Sequence, residues 1–205
     1  MTKSAQAQAN IHLNTNGVSS IMWPFKSPPE QMEEVCGSSF HFGEDYFADD
    51  WFHKGGESLT CGEPLYSPIS GHIIFTGIGV ENYGNQVIIQ SDTDPRFAVR
   101  LAHMQSISKK VTSNQKISAG TYIGKVGKTG AQSCHLHLVL YQNLNAWNLS
   151  NLKEGWSANY EHYYDVQGGK SNFDPTYLAA RFNVDVPNPW SKGRGSRCNG
   201  GPHEP

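Results

Sequence analysis

The chain of 205 residues has no stretch approaching the ~20 consecutive apolar residues of a membrane span. Its opening Met-Thr-Lys-Ser-Ala-Gln-Ala-Gln lacks the apolar core of a secretory signal. Charge is scarce: 17% of residues are charged, and 16 Lys+Arg against 18 Asp+Glu leave a net charge of -2. No bulk field is present to draw nucleic acid or anionic lipid, so the charge argues against a phosphate-tracking function. The four cysteines (Cys36, Cys61, Cys134, Cys198) form no C-x-x-C pair, which excludes zinc-knuckle and thioredoxin motifs. Two disulfides and four thiols both fit that count. No H-E-x-x-H helix occurs, so the usual glutamate base of zinc proteases is missing.

Glycine and short β-rich runs are abundant. From Pro64 to Gln142, runs at Pro64 to Ser67, His72 to Ile78, Gln86 to Gln90, Phe97 to His103, Tyr122 to Val126 and Leu136 to Tyr141 are cut by glycines. That pattern predicts an all-β fold, mainly antiparallel strands in an open sandwich or barrel with long loops. The length suits a single domain. Residues 1–35 read as a leader draped on the surface, 36–190 as the domain, and 191–205 as a flexible tail. The segment from Tyr46 to Gly56, rich in aromatics and ending in paired glycines, reads as a loop with one face for recognition. A short C-terminal helix is expected from Pro175 to Phe182, with Asp174 as its N-cap.

Nine histidines carry the chemistry. In an extended strand, residues two apart share a face, so His135 and His137 point one way while Leu136, Leu138 and Leu140 point the other. His41 and Asp45 can share a face in either helix or strand. Imidazole and carboxylate are ligands zinc accepts, and three protein ligands leave its fourth position for water. His41, Asp45 and one of His135 and His137 would make such a site. The other histidine of that pair, with His103, would stand beside the water as proton carrier. Cys134 faces away from the side His135 presents, which points to packing or a disulfide rather than nucleophilic catalysis. His53 and His72 carry no assigned role, and His12, His162 and His203 lie outside these clusters.

Three motifs occur in order: His41-x-Gly43-x-Asp45, then Leu101-Ala102-His103-Met104, then His135-x-His137. Between them stand Gly62-Glu63-Pro64-Leu65-Tyr66-Ser67-Pro68-Ile69-Ser70-Gly71, Tyr83-Gly84-Asn85-Gln86-Val87-Ile88-Ile89 and Gly120-Thr121-Tyr122-Ile123-Gly124-Lys125-Val126-Gly127-Lys128-Thr129-Gly130. Over residues 40–142 the sequence thus resembles the lysostaphin-like (LytM-type) zinc endopeptidases, which cut peptide bridges of bacterial peptidoglycan. The resemblance implies one zinc ion per chain on His41, Asp45 and His137, with His103 and His135 activating water and stabilising the oxyanion. It also implies a peptidoglycan peptide as substrate and an extracytoplasmic location with a signal segment removed. Cys134 stands where the family often has a small residue or proline, and Tyr46 to Thr60 is longer than in the shortest members. These departures touch the cleft and remove no ligand.

In an oxidising compartment disulfides persist, so the resemblance further implies paired cysteines: Cys36 with Cys61, closing a loop of about 25 residues worth roughly 3 to 4 kcal/mol, and Cys134 with Cys198. Two other functions compete. A catalytically silent relative that binds cell wall or activates another hydrolase would typically have lost ligand positions, and all five are present. A biotinyl or lipoyl carrier would share the glycine-cut hairpins, yet needs an exposed lysine in a Met-flanked hairpin, which is absent.

Overall fold

The computed structural model describes residues 10–11, 21–36, 49–79, 83–93 and 98–141. It is all-β and antiparallel. A two-residue pairing joins β1 (Asn10–Ile11) to β2 (Ile21–Met22). The main body follows: β3 (Met32–Cys36), β4 (Asp49–His53), a one-turn helix α1 (Glu57–Thr60), β5 (Pro64–Tyr66), β6 (Gly71–Ile78), β7 (Asn85–Ser91), β8 (Ala98–Ala102), β9 (Met104–Ile107), β10 (Lys116–Ile117), β11 (Tyr122–Val126) and β12 (Leu136–Tyr141). Seven strands form one sheet in the order β10-β6-β7-β8-β12-β4-β3, and three form another in the order β5-β11-β9.

Period-2 alternation makes each sheet two-faced. The buried cluster takes Ile73, Val87, Ile89, Val99, Leu101, Leu136, Leu138 and Trp51 from the large sheet, and Leu65, Met104, Ile123 and Val126 from the small one. The core therefore lies between the sheets, and the opposite face of the large sheet carries the polar side chains of β12 and β4. Register fixes which residues meet there. His137 is opposite Asp50 on one side and Ala102 on the other.

The six expected strands are present to within a few residues. Residues 22–35, by contrast, are not a surface leader. Trp23 and Phe25 are buried at 3% and 1% exposure, Phe25 bridges Leu65, and β3 is the edge strand beside β4. The reason is apolar burial: an indole and a phenyl ring gain more from the core than a polar stretch loses by following them in. Backbone bonds from Met22 N to Pro68 O and from Tyr66 N to Pro24 O fix that path.

The aromatic segment expected as a loop is corrected too. Its second half is strand β4, and Trp51 is fully buried, edge-on to Trp23 with ring centroids 5.0 Å apart. Alternation sends Trp51 into the core while Asp50 and Phe52 emerge on the other face. The disulfide expectation fails as well: Cys61 is bonded to Cys134, with Cα atoms 5.3 Å apart, so neither Cys61 with Cys36 nor Cys134 with Cys198 can form. The helix at residues 175–182 and the tail at 191–205 lie outside the described residues. Among the described residues no helix is long and apolar enough to cross a membrane.

Candidate metal and catalytic centre

His103, His135 and His137 come together from three places: the bend between β8 and β9, the residue before β12, and β12 itself. One ring nitrogen from each lies within 4.8 Å of the others. All three are buried, at 7%, 8% and 3% exposure. His41 and Asp45 lie outside the described residues.

A fourth residue, not singled out from sequence, joins the cluster. Asp50 Oδ1 is 3.1 Å from His137 Nδ1 and 3.6 Å from His135 Nε2. Two donor atoms bonded to one tetrahedral zinc at 2.0–2.1 Å would stand about 3.3 Å apart, so the Asp50 oxygen and His137 Nδ1 are spaced as a pair that could share an ion. Imidazole nitrogen and carboxylate oxygen are also the donor types zinc prefers. The residues present fit the metal. A signal for Asp50 was available: it is one position before the most apolar residue of its run, Trp51, and so faces the opposite side.

The other two imidazoles are set by backbone carbonyls. His103 Nδ1 is 3.0 Å from Thr129 O, and His135 Nδ1 is 3.0 Å from Ser133 O. A carbonyl can only accept, so each Nδ1 carries the hydrogen and donates it, and each ring presents a lone pair at Nε2. His135 turns that nitrogen toward Asp50.

His103 is held in a strained conformation. Its φ is 58°, a left-handed backbone that costs an L-residue roughly 1–2 kcal/mol, and such outliers cluster where a side chain must be aimed. Surrounding bonds sustain it: His103 N donates to Tyr83 O at 2.9 Å, and the next residue's carbonyl, Met104 O, accepts from both Thr129 Oγ1 and Asn85 Nδ2. Gly84, at φ 58°, permits the approach, since a Cβ there would meet Thr129 O at 2.0 Å. Burial lowers the His103 pKa from 6.5 to about 3, helped by the neighbouring His137 and His135 and opposed by the Thr129 carbonyl and Asp50. The ring is neutral at physiological pH.

Aromatics complete the walls. Phe52 stacks on His135 with centroids 5.4 Å apart. Tyr83 packs edge-on against His137 at 5.5 Å and lies under the buried Arg100 guanidinium at 4.2 Å. His53 and His72 are elsewhere. His53 Nδ1 accepts from Gly55 N in a local turn, and His72 faces Asp92 on the surface.

An antiparallel β fold that gathers three buried histidines and a carboxylate on one sheet face offers a candidate metal centre, and comparison with known proteins bears on what it does. Residues 52–149 match the model of Peptidase family M23. It is 32% identical over 140 residues to outer membrane antigenic lipoprotein B of Haemophilus influenzae, covering 66% of this chain and 33% of that protein. It is 27% identical over 95 residues to the murein hydrolase activator NlpD of Escherichia coli, covering 46% and 24%. The chain thus spans a third or less of the length of these two relatives. Among solved structures, the catalytic domain of lysostaphin from Staphylococcus simulans superposes with a TM-score of 0.45 at 22% identity, covering 58% of this chain and 81% of that one.

Proposed function

We propose that this protein is a zinc-dependent endopeptidase that hydrolyses peptide cross-links of peptidoglycan outside the cytoplasm. The observation that carries the reading is the convergence of one ring nitrogen each from His103, His135 and His137 within 4.8 Å, with Asp50 beside His135 and His137 and with Nδ1 of His103 and His135 each occupied by a carbonyl, which leaves Nε2 as the lone pair.

His137 through Nδ1, Asp50 and His41 would hold the ion, with Asp45 as the rival carboxylate. Zinc bound there would polarise the scissile carbonyl and bring the pKa of water at the site from about 16 to about 7. The chain's own residues do the rest. His135 Nε2, neutral and unprotonated, takes a proton from the attacking water. As the C–N bond breaks, protonated His135 returns that proton to the leaving amine, while neutral His103, its own hydrogen held by Thr129 O, offers Nε2 as a second acceptor that orients the attacking water. Phe52 and Tyr83 keep the rings in place and limit water around them.

The second reading, a hydrolase activator, is favoured by the name of one relative, the murein hydrolase activator. Purified protein incubated with defined muropeptides, with and without chelator and with products read by mass, separates the two. The endopeptidase gives new peptide ends that chelator abolishes. An activator gives none alone and accelerates an added cell-wall hydrolase.

A further inference from the structure

The two carbonyls that set the histidine tautomers belong to one loop. Residues 128–134 join β11 to β12, and the loop is closed at its base where Gly127 pairs with His135 and His135 N donates to Gly127 O at 3.1 Å. Thr129 near its start reaches His103, and Ser133 near its end reaches His135. Only a carbonyl held in place can choose between the two nitrogens of a ring, because a drifting one lets either nitrogen carry the hydrogen.

Three anchors hold the loop. The Thr129 hydroxyl donates to Met104 O at 3.0 Å and accepts from Asn85 N at 2.8 Å, tying the loop's start to β7 and β9. Cys134 is disulfide-bonded to Cys61, at the end of α1. From the same helix, Glu57 Oε1 accepts from Cys134 N at 3.2 Å and from Lys128 Nζ at 3.3 Å, gripping both ends of the loop. Helix α1 itself is seated on β4, where Thr60 Oγ1 donates to Gly56 O and accepts from His53 N.

We propose that loop 128–134 is the positioning element of the centre, and that Thr129 and the Cys61–Cys134 disulfide are the residues through which it fixes both imidazoles as Nδ1–H tautomers. None of these groups is among the residues that would hold the ion or carry the proton. Their effect on turnover rests on the peptidase reading above, whereas their effect on tautomer does not.

The test is long-range proton–nitrogen NMR of the histidine rings in zinc-loaded protein, paired with steady-state kinetics. Wild type is expected to show Nδ1–H at both His103 and His135. Thr129→Val is expected to give a mixed tautomer at His103, with Thr129→Ser restoring it, and Cys61→Ser with Cys134→Ser a mixed tautomer at His135. In each case kcat falls by about 10- to 100-fold, the range for lost supporting contacts, while KM and zinc content hold. Should those variants fail to fold, Glu57→Ala removes only an exposed side chain and is expected to disturb His135 while leaving His103 unchanged. Unmoved tautomers in the folded variants, or Nε2–H in wild type, overturn the proposal. Correct tautomers in a protein without peptidase turnover would sink the function and leave the positioning role standing.

Discussion

Replacing His103 by glutamine is expected to flatten the acid sensitivity of the metal-free protein. The folded-state pKa of about 3 lies well below the ordinary 6.5, so the unfolded chain takes up this proton first as pH falls. Stability is complete above pH 6.5 and is lost progressively as pH drops toward 3. At pH 5, about 1.5 units below the unfolded value, the loss is about 2 kcal/mol, and at pH 7 it is close to zero. At 7% exposure solvent screens the ring little. Urea unfolding in chelator at pH 7 and pH 5, followed by tryptophan fluorescence, gives the difference for wild type and for His103→Gln. Groups remote from the cluster contribute to both proteins and cancel, so the difference reads His103 together with its coupling to His135, His137 and Asp50. The wild type should lose about 2 kcal/mol more than the variant between the two pH values. Equal losses would refute the claim that His103 is held neutral by burial.

Metal and turnover should separate by residue: His137→Ala, Asp50→Ala and His41→Ala lower zinc content by elemental analysis, whereas His103→Ala and His135→Ala keep about one zinc and lose activity. If Asp45→Ala empties the site and Asp50→Ala does not, the carboxylate assignment returns to Asp45. Neighbours on β4 should behave oppositely, with Trp51→Ala costing about 3–5 kcal/mol in urea unfolding, and Phe52→Ala raising KM with little change in stability. Gln86 is fully buried with neither amide atom hydrogen-bonded among the described residues. Gln86→Met should therefore be neutral or raise Tm, since removing an unsatisfied buried amide lifts a desolvation cost.

The strands were legible where apolar and β-branched residues alternate between glycines, as at Gln86 to Gln90 and Leu136 to Tyr141. Strands β9 and β10 were not, because Met104-Gln105-Ser106-Ile107 and Lys116-Ile117 are short, polar edge segments whose pairing is decided by their neighbours. Residues 22–25 look like a leader until Leu65 and Trp51 are placed beside them, a contact no local pattern encodes. The convergence of His103 with His135 and His137 was legible through spacing and family likeness. Asp50 was hidden because its partner is 87 residues away and only strand register brings them together. The same holds for the Cys61–Cys134 bond, whose partners are separated by 73 residues. Cysteine count alone leaves three connectivities open.

The most direct test of the central claim is digestion of one cross-linked muropeptide of known sequence by zinc-loaded wild type and by His135→Ala, with products read by mass and zinc measured in both samples. Wild type should release one new amine and one new carboxylate end at a single peptide bond, and His135→Ala should keep its zinc and release none. An uncut muropeptide with zinc-loaded wild type, or equal cleavage by the His135→Ala protein, would contradict the account.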